Sequence, residues 1–329
     1  MSAMPGSRTS RMALLRLVAL ALALLASPAV AQDWPAGTVR VVVPYAAGGP
    51  LDLPARLLID RLAAQTGGTF ILEHRAGAGG AVGAQAVVQA PADGGTFLFT
   101  SSSLAAAPAL YPKLGFDPLT ALVPLSLITE FPISVAVRAD SPVRDFADLV
   151  AKGKAQPGRL TYGSGAVGTG NHLGAELLKR MAGIDLLHVP FRGISLAITA
   201  LYAGDIDLVV TNAIESLAHA RDGRLRVLAV GGASRMPELA DVPTIGEAVP
   251  GYVMTNWYGL FAPRGLPARV LARLEAELPK VRSDPALAQR AAGAGMTMLV
   301  TPADVLRRRM ESEVPRWKQI VPELGLKVE

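Results

Sequence analysis

The sequence predicts an α/β protein made of two wound α/β units in tandem, with a cleft between them. Three observations point there: short, near-continuous runs of β-branched and apolar residues, helical apolar spacing between those runs, and Gly- or Ser-rich loops where strand gives way to helix. Apolar strands of this kind, separated by helices, imply parallel sheets covered on both faces.

In chain order, Val39–Val43 is a β-branched run that stops at Pro44, and Leu53–Ala64 carries apolar residues at helical spacing. Phe70–Glu73 is the next strand, the glycine-rich Gly77–Gly83 leads into a helix through Val88, and Phe97–Thr100 is a third strand. The theme then repeats with strand Ile133–Val137, helix Val143–Ala151, strand Leu160–Tyr162, helix Gly174–Met181 and strand Leu186–Val189. A helix Ser195–Ala203, ended by Gly204, precedes strands Asp207–Thr211 and Leu225–Ala229. Tyr258–Pro263 is a last apolar strand. Pro267–Val281 and Thr301–Gln319 read as helices, with Pro302 a helix-start signal at the first turn of the latter.

The N-terminus reads as an export signal. Arg8, Arg11 and Arg16 stand without an acidic residue, an apolar run from Met12 to Ala26 follows, and small residues lead to Ala31. Cleavage after Ala31 leaves Gln32 as the new N-terminus. The uninterrupted stretch Leu17–Ala26 is shorter than the roughly 20 residues a spanning helix needs, and no Cys follows it for lipid attachment. Of the formal net charge of +5, the three leader arginines account for all but +2, so the basic balance is partly an export feature and does not argue for nucleic acid. The Cys count is zero, which removes thiol nucleophiles and thiolate metal sites. A mature chain this long buries an adequate core without disulfides, and it suits two domains better than one.

Ligands in open parallel sheets bind beyond the carboxyl ends of the strands, and four loops occupy that position. The first, Pro44–Asp52, offers the Gly48-Gly49 pair for close backbone approach, a helix N-terminus, the Tyr45 ring and hydroxyl, and Asp52 as either a helix cap or a ligand group. The second, Ser101-Ser102-Ser103, supplies more hydroxyls than one cap needs. The third, Gly163–His172, contains Ser164, Gly168 and Thr169. The fourth starts at Thr211 and Asn212. Arg192 is the one cation near them in this reading, with a solvated loop charge as its plain alternative.

The third loop also spells G-x-G-x-x-G, a dinucleotide fingerprint, with Asp185 near the offset of a ribose-binding acid. Export and the other Gly-rich loops argue against a nicotinamide cofactor, and no cofactor is expected. A hydrolase elbow needs G-x-S-x-G, and position 162 is Tyr. No orienting acid is signalled for His172, which reads as a second-layer or structural residue, and the four His show no metal spacing. Neither catalytic nor metal-binding residues are assigned.

These loops hold almost no Lys or Arg, so an anion there is held by N–H dipoles and hydroxyls. A helix N-terminus contributes about 0.3–1 kcal/mol and a hydrogen bond to a charged group about 1.5–3 kcal/mol. Several such contacts reach micromolar affinity, about −8 kcal/mol, after ordering costs.

The segments VRVVVPYAAGGPLDLPARLL, EHRAGAGGAVGA, PALYPKLGFDP, LTYGSGAVGTGNHLGAELL, HVPFRG, DVPTIGEAVPGY and WYGLFAPRGLP, in this order, resemble the substrate-binding proteins of tripartite tricarboxylate transporters, the Bordetella uptake group. The resemblance spans Trp34–Glu329. It implies a periplasmic-binding-protein-like clamshell with crossover strands, in which residues 32–136 plus 254–329 form one domain and 137–253 the other. It also implies a monomer that captures a small carboxylate and hands it to integral membrane transporter subunits. Carried over by motif, Tyr45, Gly48, Gly49, Leu51 and Asp52, with Ser102 and Ser103 beside them, form one side of the ligand site. Ser164, Gly168, Thr169, His172, Thr211 and Asn212 form the other. Ala76 and His74 depart from the family's usual Pro and Asn, and Thr211 replaces its usual Asp. Losing that acid argues against amino-acid ligands and for a di- or tricarboxylate or an aromatic acid. The alternatives are an exported esterase using Ser164 and a ligand-sensing subunit for a membrane kinase.

Overall fold

The computed structural model describes residues 34–326. The expected export leader and the expected cleavage after Ala31 lie outside the described residues.

The first lobe opens with β1 (Val39–Val43), α1 (Asp52–Thr66), β2 (Phe70–His74), a 3₁₀ turn at Ala78–Gly80, α2 (Ala81–Val88), β3 (Thr96–Ser101), α3 (Ser103–Leu110) and the short α4 (Pro118–Ala121). β1 is parallel to both β2 and β3. Its Val39, Val41, Val42 and Val43 are all buried, as a strand covered on both faces requires.

The long strand β4 (Leu122–Arg138) leaves this lobe for the second one, which contains α5 (Phe146–Ala155), β5 (Thr161–Ser164), α6 (Gly170–Ala182), β6 (Leu187–Pro190), α7 (Ile194–Ala203), β7 (Leu208–Asn212), α8 (Ala213–Arg221), β8 (Leu225–Val230), a 3₁₀ turn and α9 (Ile245–Ala248). β9 (Thr255–Pro263) then returns, and α10 (Ala268–Arg282), α11 (Pro285–Gly293) and α12 (Ala303–Glu323) complete the chain.

The strand order is β2-β1-β3-β9-β4-β7-β5-β6, with β8 also on β4. β4 changes partner part-way along its length. Leu122–Pro132 pairs with β9, and Ile133–Arg138 pairs with β7 and β8. The sheets are therefore mixed, contrary to the all-parallel expectation: β9 is antiparallel to β3 and β4, and β4 is antiparallel to β7 and β8. Two strands that cross between lobes in opposite directions must pair antiparallel.

Boundaries also move for local reasons. The helix expected from Val143 starts at Phe146, because Asp145 accepts from Asp148 N at 2.8 Å and caps it there. Pro302 caps the last helix from outside its first turn. That helix buries Leu306, Met310, Val314, Trp317 and Val321 along one face, packed in one core with Ala105, Leu110 and Leu127. At about 1.5–3 kcal/mol for each large apolar side chain, this stripe ties the C-terminal segment to the first lobe.

Candidate functional site

The first loop is held by its own polar groups. Gly48 has φ near +80°, a conformation that costs glycine little, and its N–H donates to Asp52 Oδ2 at 2.7 Å. Asp52 Oδ1 lies 2.8 Å from His74 Nε2. Asp52 thus reaches back to the loop and across to β2, while the α1 cap position belongs to Leu51, whose side chain is buried in the core. The Tyr45 hydroxyl lies 2.6 Å from Ser101 Oγ and also bonds Gly79 O. Ser101 donates on to Ser103 Oγ at 3.2 Å. His74, read only as a departure from a pattern, is the residue that anchors Asp52.

The third loop rests on a buried histidine stack. Thr169 caps α6 by accepting from His172 N and donates to Ala166 O. Gly168, at φ near +79°, donates its N–H to His172 Nδ1 at 3.1 Å, which places the ring proton of a neutral imidazole on Nε2. His172 stacks on His188, and His188 stacks on Tyr162. Burial, with the neighbouring His188 second, pulls His172 down to about 3, and burial pulls His188 down to about 4. The Tyr162 hydroxyl donates to Glu176 at 2.6 Å, and Glu176 also accepts from Lys179. Ser164 is fully buried, with Oγ 2.8 Å from His188 Nε2. Its imidazole neighbour is therefore His188, not the sequence-adjacent His172. No carboxylate among the described residues bonds the other His188 nitrogen, and a base held near 4 is a poor proton acceptor at neutral pH.

The fourth loop ends in Thr211 and Asn212, both buried. The Thr211 hydroxyl, the Asn212 N–H (2.9 Å) and the Asn212 Nδ2 (3.1 Å) all donate to the Glu215 carboxylate. Burial raises the Glu215 carboxyl above its ordinary range against the pull of those three donors. Position 211 has no acid, yet the structure supplies one from the next helical turn. Thr211 therefore does not leave this loop without a carboxylate.

The three inner loops meet at Asn256, a β9 residue lying just before the strand expected from Tyr258. Its Nδ2 donates to Asn171 Oδ1 at 2.6 Å and Asn212 Oδ1 at 2.7 Å, and its Oδ1 accepts from Ser102 Oγ at 3.2 Å. A methyl group on Gly170 would lie 1.8 Å from Asn256 Oδ1, so the junction has no spare volume.

Two cavities flank the crossover strands. One, of about 370 Å³, takes in Gly49, Pro50 and Leu53 from the first loop and helix, Ile194 and Ser195 from the second lobe, Asn212 and Glu215 from the fourth loop, and Phe131 and Tyr258 from the crossover strands. The other, of about 390 Å³, is lined by Ser102, Gly170, Glu130, Thr255, Arg309 and Glu313 among others. Strand alternation puts Phe131 and Tyr258 on one face and Glu130 and Thr255 on the other. In the second cavity Arg309 bonds Glu130 and Glu313, Trp257 Nε1 donates to Glu313 at 2.9 Å, and Arg316 lies over the Trp317 ring, 5.9 Å from its centroid. The first cavity holds no Lys or Arg.

The thirteen residues expected to grip a ligand divide accordingly. Gly49 and Asn212 share the first cavity, and Ser102 lines the second. Leu51, Ser103, Ser164, His172 and Thr211 are buried beneath the loops, so their side chains shape the walls. Tyr45, Gly48, Asp52, Gly168 and Thr169 fix the loop conformations through the bonds above. Arg192 is exposed. No group of three or more His, Cys, Asp or Glu among the described residues is placed to hold a metal, and no described helix is long and apolar enough to cross a membrane.

A sequence profile described as the tripartite tricarboxylate transporter family receptor matches residues 54–326. The chain belongs to this family. Protein BugT of Bordetella pertussis is 30% identical to it over 312 residues, 94% of this chain and 96% of that one. Among solved structures, an R. palustris protein with adipate is 32% identical with a TM-score of 0.81, covering 90% of this chain and 99% of that one. MatC from Rhodopseudomonas palustris with bound malate is 31% identical with a TM-score of 0.79, covering 88% and 100%. The tripartite transporter receptor described here is accordingly a periplasmic solute-binding protein with the two-lobed α/β clamshell fold, and not an enzyme.

Proposed function

We propose that this receptor is exported after cleavage following Ala31, closes its two lobes as a monomer around one small carboxylate, and presents the closed form to the membrane subunits of its transporter. In this reading residues 32–136 and 254–329 form one lobe and 137–253 the other. The observation that carries it is the cavity shared by Gly49 of the first lobe and Asn212 of the second, in a family whose solved members include proteins with adipate and malate.

The chemistry follows from the loop ends. Ligand oxygens are met by the Gly49 N–H and its neighbours at the start of α1, where the helix dipole adds partial positive charge, while the Gly48 N–H is held by Asp52. Asn212 meets the ligand from the other lobe. Tyr45, Asp52, Ser103, Ser164, Gly168, Thr169, His172 and Thr211 hold these groups in place, and Ser102 links the lobes through Asn256. Closure is a shift of the open–closed equilibrium toward the form that binds better.

Isothermal calorimetry of the exported protein against mono-, di- and tricarboxylates tests the reading. Micromolar binding of at least one carboxylate, with a smaller radius of gyration in the bound state, is expected. Absence of binding across the panel refutes it. Intact-mass measurement should show a chain starting at Gln32, and a retained Met1 rules out the processing step.

A further inference from the structure

The walls of the cavity shared by Gly49 and Asn212 are mainly apolar, with Leu53, Phe131, Ile194, Ile198, Ile214 and Met296 among them. Its polar groups cluster at Asn212, Glu215 and Tyr258, with Ser195 and His219 also in the wall. Glu215 is the only carboxylate there, and no cation among the described residues pairs with it. Its three hydrogen bonds come from donors and use both oxygens as acceptors, the pattern that supports the ionised form against the burial that pushes this carboxyl up. The Tyr258 hydroxyl is pushed well above its ordinary range by burial first and the adjacent Glu215 second, which makes it a neutral donor and not a compensating charge.

A dicarboxylate bound with one end at the Gly48-Gly49 loop places its second carboxylate in this cavity. It then meets apolar walls and the Glu215 carboxylate, with no Lys or Arg among the lining residues to offset either. Like charges brought together in a partly desolvated site oppose binding strongly. An apolar ligand body meets the opposite situation, since it gains from the same walls.

We propose that this cavity receives the apolar body of a monocarboxylate, and that Glu215 is the specificity residue that rejects a second carboxylate. The proposal rests on the reading above, that a carboxylate binds between the lobes, and it adds the ligand's class.

The test is calorimetry with matched pairs, hexanoate against adipate and 4-methylbenzoate against terephthalate. A buffer near about pH 8 favours the ionised form of the Glu215 carboxyl, which burial pushes up. The wild type should bind each monoacid at least about tenfold more tightly than its diacid partner. Glu215→Gln should narrow that ratio to within about threefold by tightening the diacids. Should Glu215→Gln fail to fold, Leu53→Lys serves instead: it adds a cation to the same wall at a partly exposed position and leaves the Glu215 hydrogen bonds alone. It should also strengthen diacid binding. Diacids binding as well as monoacids to the wild type, or an unchanged ratio in a folded variant, overturns the proposal while leaving the carboxylate reading intact. No binding of any carboxylate overturns both.

Discussion

The imidazole rings of His172 and His188 stack with centroids 4.2 Å apart and 25° between their planes, beneath the loop that opens α6. Both are neutral in the fold, held at about 3 and about 4 chiefly by burial, against 6.5 for a free imidazole. As pH falls below about 6.5, the unfolded chain takes up protons that the native stack refuses, so stability is lost from there down toward about pH 4. The melting temperature should therefore drop on going from about pH 7 to about pH 4.5. His188→Phe, which keeps an aromatic ring and removes one titrating group, should flatten the slope. An unaltered slope would assign the acid limit to other groups.

Asn256→Ala removes the donor of both Asn171 Oδ1 and Asn212 Oδ1 in a buried site. An unsatisfied buried polar group costs about 1–3 kcal/mol, so urea denaturation should show a loss of about 2 kcal/mol or more. Carboxylate affinity should fall with it, because Asn212 loses its support. A variant as stable as the wild type would mean that water replaces the amide without cost.

Gly170→Ala and Gly48→Ala separate two reasons for glycine. At Gly170 a Cβ meets Asn256 Oδ1 at 1.8 Å and Ser102 Oγ at 3.0 Å, so the junction must break and the loss should match or exceed that of Asn256→Ala. At Gly48 the space is open, but φ is near +80°, so only backbone strain of about 1 kcal/mol is expected. Thermal melts of the two variants rank these effects directly.

Arg309→Met strips the shared cation from Glu130 and Glu313. Glu313 is already pushed up by burial against Arg309's opposing pull, and losing Arg309 raises it further. A raised carboxyl favours the native state at low pH and opposes it as pH rises through that value. The loss, about 1–3 kcal/mol for a partly buried pair, should therefore be larger near about pH 8 than near about pH 5 when denaturation midpoints are compared.

The reach of sequence reasoning shows most clearly at the crossover strands. Val39–Val43 was legible because its apolar run has no interruption, and its bounds agree with the structure. β4 reads only as Ile133–Val137, yet it extends from Leu122 to Arg138. The missing part contains Pro124, Ser126, Glu130 and Pro132, which look like loop chemistry. Their partners lie far along the chain: Ser126 donates to Thr301 O, and Glu130 bonds Arg309. Asn256 is illegible for the same reason. The two polar residues before Trp257, Thr255 and Asn256, carry no periodic signal, and the role of Asn256 arises only when three loops arrive at one point.

By itself the sequence determined the alternation of strand and helix, the four strand-end loops and, through its ordered motifs, the receptor family. These follow from local spacing and from residue types that backbone geometry demands. Tertiary structure alone decided that Ser164 and His172 sit under the loop surface, that Glu215 supplies the acid missing at Thr211, and that Asn256 joins the two lobes. Such outcomes depend on which buried polar groups find partners across long stretches of chain, and burial is a property of the assembled core.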